Sequence, residues 1–364
     1  MGKRELALIV GFVLLGLVAY QLVAAPPEHD DAGLSLTGLA DRIRTEMRSR
    51  GARIERRKTA RSEVGRGVAE IVVTGFSGRL SVVGSATTEV TAELAVNITG
   101  LDEREATARA DAVDLGLVRD ASAMIVQLAL PPELRPSDVA LSLDVPERLL
   151  ARLQVSGGPT QARRVAAVAL EAVGDVRVRD VDGPITGEHR AGDLRVTRVG
   201  SLRLVTRNSG VRIEEVGASV DLDAVEGRVR LRTIGGAVRL QARDNFASLD
   251  AVDGPIVVHH TDGRLVLDHV RSRLEAIGER SRISVEFEVP TPAHVETRDA
   301  PVDIALPPGG VMLEATVRDG ELALQGVELD PTNDDGARRA VGAVGGGGPT
   351  VTALVSGGTL TVRR

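Results

Sequence analysis

The 364-residue sequence has no cysteine and no tryptophan, and aromatic residues make up only 1% of it. Without thiols there are no disulfides, no thiolate metal sites, no cysteine nucleophile and no lipid on an N-terminal cysteine. The redox compartment stays open, because a thiol-free chain suits an oxidising exterior and the cytosol alike. Few aromatics argues against a wide globular core, which uses Phe and Trp to fill its gaps. A strong charge of either sign is also missing. The net charge of -6 and pI near 5.7 lack the basic balance of a general nucleic-acid binder.

What is present is aliphatic. Apolar residues reach 43%, enough for a real core. Gly227, Gly236, Asn245, Gly254, Gly263, Ser272 and Ser281 recur every nine residues. Between them runs an apolar-x-apolar pattern: Val229/Leu231, Val238/Leu240, Ile256/Val258, Leu265/Leu267, Ile283/Val285. A fixed short period marks a solenoid, whose units bury their apolar faces only by stacking on each other. Two nine-residue rungs per coil place residues eighteen apart in columns with a step of about 4.8 Å. The repeat runs from about Leu149 to Val289, with Gly174, Gly183, Gly192 and Gly200 as its first corners. Glycine or a small polar residue is expected to supply the positive φ of each corner. Parallel crossovers favour a right-handed coil.

Around the repeat, alternation predicts strands from near Val68, at Ile71/Val73, Leu80/Val82 and Val90 to Ile98. Residues 102–114 are Ala-rich and charged and predict a short helical insertion. Residues 330–349 are rich in Gly, Asp and Asn and read as a loose loop. Strands at Val351–Val355 and Leu360–Val362 are then expected to finish and cap the stack.

The front of the chain has a different character. Leu6 to Val23 carries no charge, and at about 1.5 Å per residue it spans roughly 27 Å, close to a bilayer's hydrocarbon core. Lys3 and Arg4 precede it; Glu28, Asp30 and Asp31 follow. The positive-inside rule puts the N-terminus in the cytoplasm and the bulk in the periplasm or extracellular space. A signal peptide cleaved near Ala24-Ala25 is the alternative, and the remainder is exported in either case. The domain reading is a cytoplasmic tip (1–4), a transmembrane anchor (5–25), a linker and basic stalk (26–66) and a β-solenoid (67–364). Leu36, Leu39, Ile43 and Met47 add a short amphipathic helix, and Arg56, Arg57 and Lys58 make the stalk basic.

Several segments carry a family signature: Val173-Gly-Asp-Val-Arg-Val178, Val181-Asp-Gly-Pro-Ile185, Ala191-Gly-Asp-Leu-Arg-Val196 and Val252-Asp-Gly-Pro-Ile256. Strands ending in Val145-Pro146 and Leu306-Pro307, and the closing Gly357 to Val362, extend it. The chain from Val68 to Arg364 resembles the bacterial putative-adhesin family of β-strand-repeat proteins. The resemblance implies a β-solenoid on an exported or membrane-anchored protein and no known catalysis. It supplies no functional residues.

Candidate chemistry is sparse. His259, His260 and His269, with Asp262 or Asp268, are the one cluster that could hold a metal, but adjacent histidines on a strand point to opposite faces. They read as surface histidines. Gly235-Gly236 lacks the aspartate of a calcium-binding roll, and Gly345 to Gly348 lacks the Lys-Ser/Thr of a phosphate loop. Asp180, Asp182 and Asp193 are carboxylates of the type used by polysaccharide-active β-helices, yet Asp beside Gly is ordinary turn composition. No catalytic, cofactor or metal residue is assigned. Arg177, Arg195, Arg212 and Arg230 are spaced 18, 17 and 18 apart between inward apolar residues. They form an outward column, read either as a solvated face braced by Glu214 or as a strip for an anionic envelope polymer or lipid headgroups. Arg203, Asp221 and Arg239 form a second column that neutralises itself.

The reading is therefore an all-β, parallel β-solenoid with one helical insertion behind an N-terminal transmembrane helix. Its expected role is a non-enzymatic, adhesin-like or scaffold surface of the cell envelope. A self-assembling structural element and a polysaccharide-active enzyme are the alternatives.

Overall fold

The computed structural model describes residues 51–364. Its N-terminal part contains β1 (Ala52–Glu63), β2 (Glu70–Ser77), β3 (Arg79–Ser85), β4 (Glu89–Gly100), helix α1 (Glu103–Asp111), β5 (Asp114–Asp120), β6 (Ala123–Ala129) and β7 (Val139–Pro146). The stack continues through β8 (Leu150–Gly157), β9 (Thr160–Arg163), β10 (Ala167–Val173), β11 (Val176–Val216), β12 (Val220–Ile234), β13 (Val238–Val252), β14 (Ile256–Val270) and β15 (Leu274–Phe287). Then come β16 (Ala293–Arg298), β17 (Val302–Ala305), β18 (Val311–Arg318), β19 (Glu321–Gln325), β20 (Thr332–Asp334), β21 (Ala337–Val344), β22 (Thr350–Ser356) and β23 (Thr359–Arg363).

From β11 to β15 every neighbour is parallel, and the register is eighteen residues: Leu202 faces Val220, which faces Val238, Ile256 and Leu274 in turn. Alternation sends every second side chain inward, so the register builds continuous aliphatic ladders. Leu204, Leu222, Leu240, Val258 and Ala276 form one; Ile213, Leu231, Leu249, Leu267 and Val285 form another. All ten are buried. Each fully buried Val, Leu or Ile contributes roughly 1.5–3 kcal/mol, and none needs a wide core to do so. The offset shortens to seventeen between β10 and β11 and lengthens to nineteen between β15 and β16.

The corners differ from expectation. Glu226, Asp244, Asp262 and Arg280, each just before a Gly, Asn or Ser of the nine-residue beat, hold φ between 49° and 58°. A second set, Glu215, Thr233, Ala251 and His269, does the same at the other corner. The left-handed residue is thus not confined to the glycines. At Gly263 the conformation and the space both exclude a side chain: φ is +145°, and a Cβ would lie 2.1 Å from the Asn245 carbonyl oxygen on the neighbouring coil. Gly263→Ala is expected to cost about 2–4 kcal/mol, read as a lower urea midpoint. An unchanged midpoint would contradict this account of the corner.

Toward each end of the described residues, two strands are inserted into the stack rather than laid on top of it. β2 pairs in parallel with β6 on one side and β8 on the other, and β3 lies likewise between β7 and β9. At the far end β22 lies between β16 and β18, and β23 between β17 and β19. The closing strands therefore do not cap the solenoid. Antiparallel strands do: β21 and β20 beyond β18, β4 and β1 beyond β7, and β5 beyond β6.

Two further expectations are corrected. The basic segment read as a stalk up to residue 66 contains β1, paired with β4 from Ala52–Gly100 to Glu63–Glu89. Its inward positions include Arg56 and Lys58, which reach Asp111 at 3.7 Å and Asp114 at 3.9 Å. Charged stems thus cover what aliphatics would elsewhere. The stretch read as a loose loop holds the β20–β21 hairpin, turned by Asp335 and Gly336 at φ 50° and 75°. Helix α1 lies inside the segment where a helix is expected. Asp102 caps it by accepting from the Glu105 backbone N–H at 2.8 Å, and Ala106 and Ala110 are buried.

Among the described residues no helix is long and apolar enough to cross a membrane. The expected cytoplasmic tip, the anchor at 5–25, the linker and the helix near Leu36–Met47 lie outside the described residues.

Candidate anion-binding face

One outward face of the coils carries the arginine column. β12 lies beside β11 with Arg230 directly opposite Arg212, and Ser248 of β13 follows. Arg195, Arg212, Arg228 and Arg230 surround a shallow depression of about 180 Å³ with Asp193, Gly210 and Val211. Its floor exists because position 210, opposite Arg228, has no side chain. Arg228 is held at the rim with its guanidinium 5.5 Å from the Phe246 ring. Arg177 is exposed on an earlier coil, opposite Gln161, and does not line the depression. Sequence reasoning therefore finds three of the four residues together and misses Arg228 and Gly210. The eighteen-residue register would have placed both.

Several arginines elsewhere on the coils are neutralised by the rung next to them. Arg198 meets Asp180 at 2.6 Å, Arg232 meets Asp250 at 3.3 Å, and Arg280 grips Asp262 through two bonds of 2.7 and 2.8 Å. Arg203 and Asp221 pair at 3.3 Å, with Arg239 opposite Asp221, so the second column is self-neutralising as expected. Among the described residues Arg177, Arg195, Arg228 and Arg230 have no carboxylate within ion-pair distance, and Arg212 reaches only Glu214, at 3.8 Å. Directly opposed like charges repel unless an anion or carboxylate intervenes.

The other candidates resolve differently. Asp180 is occupied by Arg198, and the Asp193 backbone N–H donates to Asp175 at 3.0 Å; Asp182 is an exposed corner residue. Among the described residues no three His, Asp or Glu side chains gather as a metal site. His259 points out, and His269 bonds Asp250 at 2.9 Å, which raises its pKa. His260 and His189 are not surface histidines. Both lie in the core, at 1% and 0% exposure, and burial lowers the pKa of each, that of His260 to about 4.

No family model and no curated protein matches the chain. Solved structures similar to it include a putative cell adhesion protein from Clostridium sporogenes, 9% identical, over 85% of this chain and 99% of that one, with a TM-score of 0.19. A putative adhesin from Parabacteroides distasonis is 11% identical over 84% and 97%, with a TM-score of 0.30. A putative lipid binding protein from the same organism is 10% identical over 84% and 96%, also at 0.30. At TM-scores this low the likenesses carry no functional argument.

Proposed function

We propose that the protein is a non-enzymatic, adhesin-like binding scaffold of the cell envelope. Residues 5–25 hold it at the membrane with its bulk on the periplasmic or extracellular side. The observation that carries this reading is the arginine column on a long sheet face, where Arg195, Arg228 and Arg230 gather at one depression without an ion pair of their own and Arg212 reaches only Glu214. Such a face offers a fixed array of donors and no enclosed centre for bond chemistry.

The alternative of end-to-end self-assembly is opposed by the antiparallel strands at both ends. The outer edge of β1 carries Arg53, Arg57 and Arg61, which discourage strand addition. Light scattering on residues 51–364 is expected to give a monomer at all concentrations; a concentration-dependent filament would favour assembly. Pull-down of fractionated envelope material by the full chain tests the binding role, and no retained fraction would overturn it.

A further inference from the structure

We infer that the arginine column is a lane for a linear acidic polysaccharide lying along the solenoid axis. This rests on the binding-scaffold reading and specifies its ligand. Three observations carry it.

The first is direction. Arg212 and Arg230 sit on adjacent rungs, so the cationic groups repeat along the axis at about 4.8 Å. From Arg177 to Arg230 the lane spans three rung steps, roughly 14 Å. A chain molecule can follow such a line, and planar guanidinium groups suit its carboxylates in bidentate fashion.

The second is width. The lane is bounded by carboxylates. Asp175 and Asp193 lie at the corner on one side, and Glu214 and Glu215 lie on the other. Further along the same face Asp250 stands opposite Asp268, whose pKa is raised by burial and by Glu286 and Asp250. A flat anionic membrane laid on this face would meet those acids together with the arginines and be repelled. A polymer one chain wide meets the arginines and, of those acids, only Asp193 and Glu214.

The third is the chemistry inside the lane. Asp193 lines the depression beside Arg195, and Glu214 lies beside Arg212 at 3.8 Å. These carboxylates are acceptors that need donors. A uniform polyanion such as polyphosphate brings none and is repelled. A polysaccharide alternates carboxylates with hydroxyls, so the hydroxyls can donate to Asp193 and Glu214 while the carboxylates accept from arginine.

The test uses the full chain in nanodiscs of neutral phosphatidylcholine with four probes: polygalacturonate, neutral dextran, long-chain polyphosphate and phosphatidylglycerol vesicles. Polygalacturonate is expected to bind, to be released by added salt, and to bind about tenfold more weakly to an R195Q/R212Q double variant, the combined loss of two exposed ion pairs. R203Q, on the self-neutralised column, is the control and is expected to leave binding unchanged. Polyphosphate or vesicles binding as tightly as polygalacturonate would overturn the inference, as would a double variant that binds like the parent. If envelope material is retained but polygalacturonate is not, the ligand assignment fails and the scaffold reading stands; if neither is retained, both fail.

Discussion

Deletion of Thr350–Arg364 is expected to unfold the C-terminal coils while leaving β8 to β14 intact. β22 and β23 are not an appendage, because each is hydrogen-bonded on both edges, to β16 and β18 and to β17 and β19. Their removal separates two coils that have no direct ladder between them. It also removes Val351, Val355, Leu360 and Val362, all at 3% exposure or less. At roughly 1.5–3 kcal/mol each, the lost burial is roughly 6–12 kcal/mol, an upper estimate but comparable with the stability of a whole domain. Because solenoid coils contact only their neighbours, the damage stays local. Hydrogen exchange should show protection lost over residues 293–325 and retained over residues 150–270. The single change Val362→Asp is expected to act in the same direction, by burying a charge in the ladder. Unchanged protection of β16 and β17 in the truncated chain would refute the inserted arrangement.

That insertion has no local signal in the sequence. Leu360 and Val362 read as a strand from their alternation, but nothing near them says that their partners are Val302 and Ile304 on one side and Leu322 and Leu324 on the other. The central coils are legible for the opposite reason. Their partners lie one fixed period away, so the spacing of Gly227, Gly263 and Ser281 contains the pairing itself. β1 escapes notice because its alternation is not apolar. Arg56 and Lys58 occupy inward positions, and a hydropathy pattern registers only a basic run. The Asp335-Gly336 hairpin was in reach, since Asp-Gly with both residues at positive φ is the favoured two-residue turn, but the glycine content around it reads as looseness.

The candidate site was half legible. Spacing alone aligns Arg212 with Arg230, because both lie where the repeat is regular. Arg177 lies one coil beyond the depression, opposite Gln161 rather than another arginine. The lack of ion pairs at Arg195, Arg228 and Arg230 depends on side-chain reach from neighbouring coils, which spacing does not give. The buried histidines were decodable. Stepping by eighteen puts His260 in line with Ala242 and Ala224, an inward position, yet the residue type suggests a surface.

His260 should make the solenoid acid-sensitive. Its Nε2 lies 3.0 Å from the Asn245 Oδ1, its Nδ1 meets the Ser281 hydroxyl, and the Asn245 amide donates to the Ala224 carbonyl at 3.2 Å. With Asn245 accepting, Nε2 carries the proton and Nδ1 accepts from Ser281, so the neutral ring is fully satisfied. Room for it comes from the small residues at Gly278, directly opposite, and Gly263. Protonation would place a second donor against Ser281 and a charge in the core. Burial therefore holds the pKa at about 4, only partly offset by the hydrogen bond to Asn245 and by Asp262. A folded-state pKa below the unfolded 6.5 means that the unfolded chain binds the proton first. The stabilisation is complete above pH 6.5 and is lost as pH falls toward 4, by roughly 3 kcal/mol at about 1.4 kcal/mol per unit. His189, whose Nε2 meets the Gly174 carbonyl at 2.7 Å, is lowered by burial and adds in the same direction. His269 runs the other way. Its hydrogen bond to Asp250 raises its pKa, so its contribution is present below 6.5 and lost as pH rises, and its exposure keeps that term small. Urea midpoints measured from pH 7 to 4.5 should fall steadily for the parent chain. They should fall much less for His260→Ala, which copies the alanine of the neighbouring coils and is less stable at pH 7. Parallel pH profiles for the two would show that the proton is taken up elsewhere.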